Sequence, residues 1–153
     1  MKIAIAGGSG FIGKALTDRL LAEQHEVFIL TRKFQSSHSV TYVQWLNQHN
    51  QPEHELEDVD VFINLAGESL NSGRWTPERK KRILHSRLTA TREINRIISV
   101  MPKKPKVLLH ASAVGYYGIS RTETFTEEHI VPSSDFLSQT VHLWEKEASH
   151  VIS

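Results

Sequence analysis

The sequence predicts an α/β fold: a doubly wound parallel sheet of about five strands, ordered 3-2-1-4-5, with helices on both faces. Three observations predict it. Short apolar runs alternate with stretches of helical periodicity. Those runs are apolar throughout rather than every second residue, which suits strands buried on both faces. Two of them stop at small-residue turns, Ala6-Gly7-Gly8 and Ala66-Gly67. The right-handed crossover rule then leaves few topologies.

The first strand is Ile3-Ala4-Ile5-Ala6. From Phe11 to Glu23, the residues Ile12, Ala15, Leu16, Leu20 and Leu21 recur at helical spacing. Glu23-Gln24-His25 closes this helix where a glycine is expected, since a non-glycine residue in left-handed geometry costs on the order of 1 kcal/mol. Val27–Leu30 is the second strand. Val40–Trp45 is a weaker third, with Val40, Tyr42 and Val43 as candidate core residues. Gln48–Asp58 reads as a loop or a short helix, and Val59–Leu65 as the fourth strand. Thr76-Pro77-Glu78 is a strong helix start: threonine caps, proline suits the first helical position, and an acid complements the positive end. Ile83, Leu84, Leu88, Ala90, Ile94, Ile97, Ile98 and Met101 continue its apolar stripe. Lys106–His110 is the fifth strand, Ser112–Gly118 its following loop, and Asp135–Ser149 the last helix.

With 153 residues, 39% hydrophobic and 23% charged, the chain can bury a core. No apolar run approaches the ~20 residues of a membrane helix, and the N-terminal apolar stretch is too short for a signal peptide. Cysteine is absent, which excludes disulfides, thiolate catalysis and cysteine-ligated metal. A cytoplasmic protein without membrane contact is the expectation. The net charge of +1 hides a segregation: Arg74–Lys106 holds eleven basic residues against Glu78 and Glu93, a local +9 that leaves −8 elsewhere. A phosphate-rich partner such as nucleic acid would suit that stretch. A solvated helix face is favoured instead, because no helix-turn-helix or aromatic strand platform accompanies it.

Gly7-Gly8-Ser9-Gly10-Phe11-Ile12-Gly13 satisfies both G-x-G-x-x-G and G-x-x-G-x-x-G, directly after a strand and opening a helix. That context points to a dinucleotide. Early glycines permit the tight turn, the central one lets a pyrophosphate approach the backbone, and the last allows close helix–strand packing. The helix N-terminus offers free N–H groups to the anion. At the end of the second strand, an acid would bond the ribose 2′-OH of NAD. Here Leu30-Thr31-Arg32-Lys33 has no acid, and Arg32 and Lys33 stand where a 2′-phosphate would lie. NADP is therefore expected over NAD.

The glycine loop together with Asn64-Leu65-Ala66-Gly67-Glu68, Gly73-Arg74-Trp75-Thr76 and Ser112-Ala113-Val114-Gly115-Tyr116-Tyr117-Gly118 resembles the atypical extended short-chain dehydrogenase/reductases. These are often labelled NAD-dependent epimerase/dehydratase or nucleoside-diphosphate-sugar epimerase-like proteins, and the resemblance runs over the whole chain. It implies a Rossmann domain in which Gly7, Gly10, Phe11, Ile12 and Gly13 line the pyrophosphate. Thr31 and Arg32 would border the adenosine ribose. Leu65, Ala66 and Gly67 would pass under the cofactor with Glu68 close behind, and Ser112 would sit near the nicotinamide.

The resemblance also marks departures. The parent superfamily uses a serine to orient the substrate oxygen, a tyrosine as acid/base, and a lysine four residues later to lower the tyrosine's pKa. Aligned through Pro132, the tyrosine position falls on Phe136 and the lysine position on Thr140. The serine position falls on Ala113, one residue past Ser112, and the usual asparagine on Arg87. Ser112 and Tyr116 are the remaining catalytic candidates, with packing the alternative for Tyr116 and Tyr117. Glu68 and His110 are titratable, His110 reading as a satisfied core histidine. The other histidines show no metal spacing, and Trp45, Trp75 and Trp144 read as packing residues.

Two functions compete on this reading. One is an NADP-dependent oxidoreductase or epimerase-like enzyme with non-standard catalytic residues acting on an unidentified small molecule. The other is a non-catalytic NADP-binding regulatory or interaction module. The resemblance further implies possible homodimer pairing of the Thr76–Met101 and Asp135–Ser149 helices. A full dinucleotide fold has two three-strand halves. Residues 1–153 supply one half and most of the second, so the chain reads as the N-terminal cofactor-binding part of a longer protein, short of a sixth strand and a substrate-binding region.

Overall fold

The structure, a computed structural model, describes residues 1–33, 35–47, 49–129 and 133–150. Its strands are β1 (Lys2–Ala6), β2 (Glu26–Thr31), β3 (Thr41–Gln44), β4 (Val61–Asn64) and β5 (Val107–His110). They form one parallel sheet in the order β3-β2-β1-β4-β5, as expected. The register levels the carboxyl ends. Ala6 lies opposite Leu30 and Asn64, and Asn64 opposite His110. The loops after β1, β2, β4 and β5 therefore leave along one edge, with the order reversing between β1 and β4.

The helices are α1 (Phe11–Ala22), α2 (Pro52–Glu55), α3 (Pro77–Val100) and α4 (Phe136–Ser149), and Val114–Tyr117 is a 3-10 turn. Successive strand residues point to opposite faces. Ile3, Ile5, Val27, Ile29 and Ile63 pack with Leu16, Leu20 and Leu21 of α1. Ala4, Ala6, Phe28, Leu30 and Phe62 pack with Ile94, Ile97 and Ile98 of α3. The third strand serves both cores. Val43 is buried on the α3 side, whereas Val40 and Tyr42 pack on the α1 side. The acidic stretch before β4 holds the short α2, whose Pro52 is buried, and Leu56 and Val59 beyond it are buried too. Gln48, at the start of that stretch, and Pro132, the alignment anchor, lie outside the described residues.

Both ends of α3 and the start of α4 follow the capping rules, and the end of α1 is an exception. Thr76 Oγ1 accepts from the Arg79 N–H at 3.3 Å, and Pro77 opens α3. Lys104, beyond the helix, donates to the Ile98 and Ser99 carbonyls of the last turn, a cation where the helix dipole is negative. Asp135 Oδ1 accepts from the Leu137 and Ser138 N–H groups, and these bonds help hold its carboxyl below the usual aspartate range. The exception is α1. Its end is a Schellman turn, with His25 N donating to Leu20 O and Gln24 N to Leu21 O. The left-handed position that favours glycine is held by Gln24, at φ 61°.

The basic stretch is the solvated face expected, and several of its exposed charges find acidic partners. Arg92 pairs with Glu147 of α4, and Arg96 with Glu53 of α2 and Glu93. Lys103 and Lys106 reach Asp58 and Asp60. These exposed pairs link α3 to α4 and to α2, and the segment after α3 to the acidic stretch before β4, each contributing little to stability.

Candidate functional site

The carboxyl edge of the sheet carries the site, and the glycine loop is its most constrained part. Gly7 has φ 82°, and a Cβ there would lie 2.7 Å from the Leu65 carbonyl carbon and oxygen. A Cβ on Gly13 would lie 2.3 Å from Gly7 O and 2.6 Å from Gly8 Cα. Both obstacles are backbone, so only glycine permits this approach of β1, the loop after β4 and α1. The turn is closed by Gly10 N donating to Gly7 O at 3.0 Å. Gly10 is the N-cap of α1 and offers no side-chain cap. The first N–H groups of α1 thus face the loop uncapped. Phe11 and Ile12 turn outward, 95% and 65% exposed.

Thr31 ends β2, and its hydroxyl bonds Lys33 N and O across the bend. Arg32 and Lys33 are exposed beside it. The loop after β4 is held by Asn64: its Oδ1 accepts from Ala66 N at 3.1 Å, while its Nδ2 donates to Thr91 Oγ1 at 3.2 Å. Leu65 N donates to Ala6 O. Glu68 N donates to Ser86 Oγ, and the Glu68 carboxylate meets Arg82 at 3.5 Å. Arg87 Nη1 donates to Glu68 O at 3.1 Å, and its Cζ would lie 3.0 Å from a Cβ on Gly67. Burial lowers the Arg87 pKa, with Glu68 opposing.

Thr91 was invisible as a functional residue in the sequence, a polar position inside an apolar helical stripe. It is fully buried, and its hydroxyl accepts from Asn64 Nδ2 and from Trp144 Nε1 at 3.1 Å. His110 Nδ1 faces Ala111 O at 2.7 Å, which assigns the proton to Nδ1. Its Nε2 then presents a lone pair to Thr91, 3.1 Å away, where it competes with Arg87 O at 2.9 Å for the one hydroxyl proton. Expected as a satisfied core histidine, His110 is half-buried at the end of β5, outside both core clusters, and burial depresses its pKa.

The two catalytic candidates have different neighbours. Ser112 Oγ donates to Glu145, nine residues past Phe136 on α4. Tyr116 lies in the 3-10 turn, edge-on to Tyr117 at 5.4 Å and 6.5 Å from His142, and its carbonyl accepts from Ser138 Oγ. Phe136 stands edge-on to Trp75 at 5.9 Å with Lys80 over its ring. Thr140 is buried, and its hydroxyl has no partner among the described residues. Trp45 and Trp144 are core residues. Trp75 is instead 41% exposed, with Nε1 donating to Leu70 O on the loop that leads into α3. Arg79 buttresses that loop from beneath, donating to Ser69 O and to the carbonyl and hydroxyl of Ser72. Among the described residues, no three histidine, aspartate or glutamate side chains converge as for a metal ion, and no helix is long and apolar enough to cross a membrane.

This sheet order and glycine cradle define a Rossmann-type nucleotide-binding α/β protein. The chain belongs to the NAD dependent epimerase/dehydratase family, whose model matches residues 3–142. It is 50% identical over 153 residues to the epimerase family protein YfhF of Bacillus subtilis (strain 168), covering 99% of this chain and 50% of that protein. The crystal structure of human epimerase family protein SDR39U1 (isoform 2) with NADPH is similar, at TM-score 0.81 and 32% identity over 97% of this chain and 48% of that one. UDP-glucuronic acid 4-epimerase from Bacillus cereus in complex with NAD shares the fold, at TM-score 0.77 and 17% identity over 99% of this chain and 52% of that one. The chain spans about half the length of these proteins.

Proposed function

We propose that this chain is the dinucleotide-binding part of an epimerase/dehydratase-family enzyme that prefers NADP, with oxidoreductase or epimerase-like activity. The glycine cradle carries the reading. Side chains are barred at Gly7 and Gly13, and the uncapped N-terminus of α1 stands above them, which suits a pyrophosphate. In the same reading Gly10, Phe11 and Ile12 complete the pyrophosphate site, Thr31 and Arg32 border the ribose, and Leu65, Ala66, Gly67 and Glu68 form the floor. The bound dinucleotide supplies hydride transfer. Exposed Arg32, with no acid at the end of β2, supports the preference for a 2′-phosphate, and the NADPH in the human relative points the same way. A cytoplasmic setting and pairing of α3 and α4 with a second copy belong to the same proposal.

Tyr116 is the proposed proton-handling residue and Ser112 the proposed orienting hydroxyl. A second reading, a cofactor-binding module without turnover, is favoured by Phe136 and Thr140, neither of which can do acid/base work at neutral pH.

Fluorescence titration with NADPH and NADH tests the assignment. Tighter binding of NADPH, reversed in Arg32→Glu, is the expected result. Binding of neither nucleotide below millimolar concentration sinks the dinucleotide reading, and equal affinities sink the role of Arg32. Turnover of NADPH with candidate carbonyl substrates, lost in Tyr116→Phe, separates the enzyme from the module.

A further inference from the structure

Arg87 stands apart from the other arginines of α3. Arg79 is engaged by Ser69 and Ser72, Arg82 by Glu68, Arg92 by Glu147, and Arg96 by Glu53 and Glu93. Arg87 has no carboxylate within ion-pair distance among the described residues. Its Nη1 donates to two carbonyls, Glu68 O and Ile83 O, both at 3.1 Å. Nε and Nη2 have no hydrogen-bond partner among the described residues.

The guanidinium is also confined. Gly67 leaves room for it against the loop after β4, and its Cζ stands 5.3 Å from the centre of the Trp144 ring. A half-buried cation without a counter-ion is costly, and an incoming anion relieves that cost. The free groups have a definite shape. Nε–H and the adjacent Nη2–H project in parallel from one edge of the guanidinium, the fork that binds two oxygens of a carboxylate or phosphate. One and two turns before Trp144 on α4 stand Thr140 and Phe136, neither of them charged.

We propose that Arg87 is a ligand-binding residue that grips an oxyanion, the carboxylate or phosphate of an incoming ligand, side-on through Nε and Nη2. Any placement of that ligand next to a bound dinucleotide rests on the dinucleotide reading of the Gly67 loop; the oxyanion site itself does not.

The indole N–H signals of the intact chain test this by NMR. Trp144, identified by its proximity to Thr91, is the reporter, because its ring lies against the guanidinium. Malonate and inorganic phosphate are titrated separately, each with and without NADPH. The expected result is a saturable shift of the Trp144 signal with at least one anion. Arg87→Lys, which keeps the charge but loses the fork, should weaken that response about tenfold or more, and Arg87→Met should abolish it. A response to malonate identifies a carboxylate ligand and a response to phosphate alone a phosphorylated one. The proposal is overturned if neither anion shifts the signal, or if Arg87→Lys titrates like the parent chain. Anion binding without NADPH binding would remove the dinucleotide reading and leave Arg87 in place. NADPH binding without any anion response would do the reverse.

Discussion

The indole nitrogen of Trp144 donates to the hydroxyl of Thr91 across 3.1 Å, tying α4 to α3 inside the core. The same hydroxyl accepts from Asn64, whose other amide atom holds Ala66 at the floor of the site. With two donors on its oxygen, Thr91 has its acceptor capacity filled. Thr91→Val is expected to leave both donors buried and unpaired, costing roughly 2–4 kcal/mol in urea denaturation. Thr91→Ser keeps the oxygen and should recover most of the loss.

His110 makes the fold sensitive to acid. Burial holds its folded pKa below the ordinary 6.5, so the unfolded chain takes up the proton first. Stability is then full above pH 6.5 and declines as the pH falls through the folded pKa. Protonation would also turn Nε2 into a donor facing a hydroxyl that has no lone pair to spare. Thermal melts between pH 7 and pH 5 should show this decline, and His110→Gln should flatten it. An unchanged slope in the variant would remove His110 as the cause.

The glycine cradle should not tolerate a methyl group. Gly13→Ala would push a Cβ into Gly7 O and Gly8 Cα, both backbone and unable to swing aside. A loss of roughly 1–3 kcal/mol is expected from such overpacking, with nucleotide binding lost alongside it. Gly10→Ala meets only Gly7 O at 3.3 Å, so it should cost less stability. Melting temperatures of the two variants, compared side by side, check the ranking.

At the end of α1, Gln24 occupies the one Schellman position where glycine is better. Gln24→Gly removes the left-handed strain, worth about 1 kcal/mol before the greater freedom of the unfolded chain is subtracted. A small net rise in melting temperature is expected, and a fall would show that the Gln24 side chain contributes contacts of its own.

Strand order, helix starts and the glycine loop were legible in the sequence because each follows from local pattern: apolar runs, Thr76-Pro77, and glycines at fixed spacing. The strain at Gln24 was legible for the same reason. What local pattern cannot carry is the partner of a polar group. Thr91 sits in an apolar stripe, and only the crossing of α3 with β4, β5 and α4 reveals why it is polar. Ser112 is close to the expected catalytic position in sequence, yet its hydroxyl meets Glu145, a contact made by the approach of α4. The split of Val40 and Tyr42 from Val43 was obscured because β3 reads as apolar on both sides, and both sides are covered.

The lengthwise segregation of charge has an electrostatic consequence. The basic stretch and the acids at Glu53, Asp58, Asp60, Glu68 and Glu147 are folded onto one another at contact distance. Those pairs neutralise Arg82, Arg92, Arg96, Lys103 and Lys106 at contact distance, while Arg74, Lys80, Lys81 and Arg87 keep a positive surplus whose reach is a Debye length of about 8 Å. Capture of an anion by this protein should thus weaken as ionic strength rises, with the final grip decided at close quarters by groups such as Arg32 and Arg87.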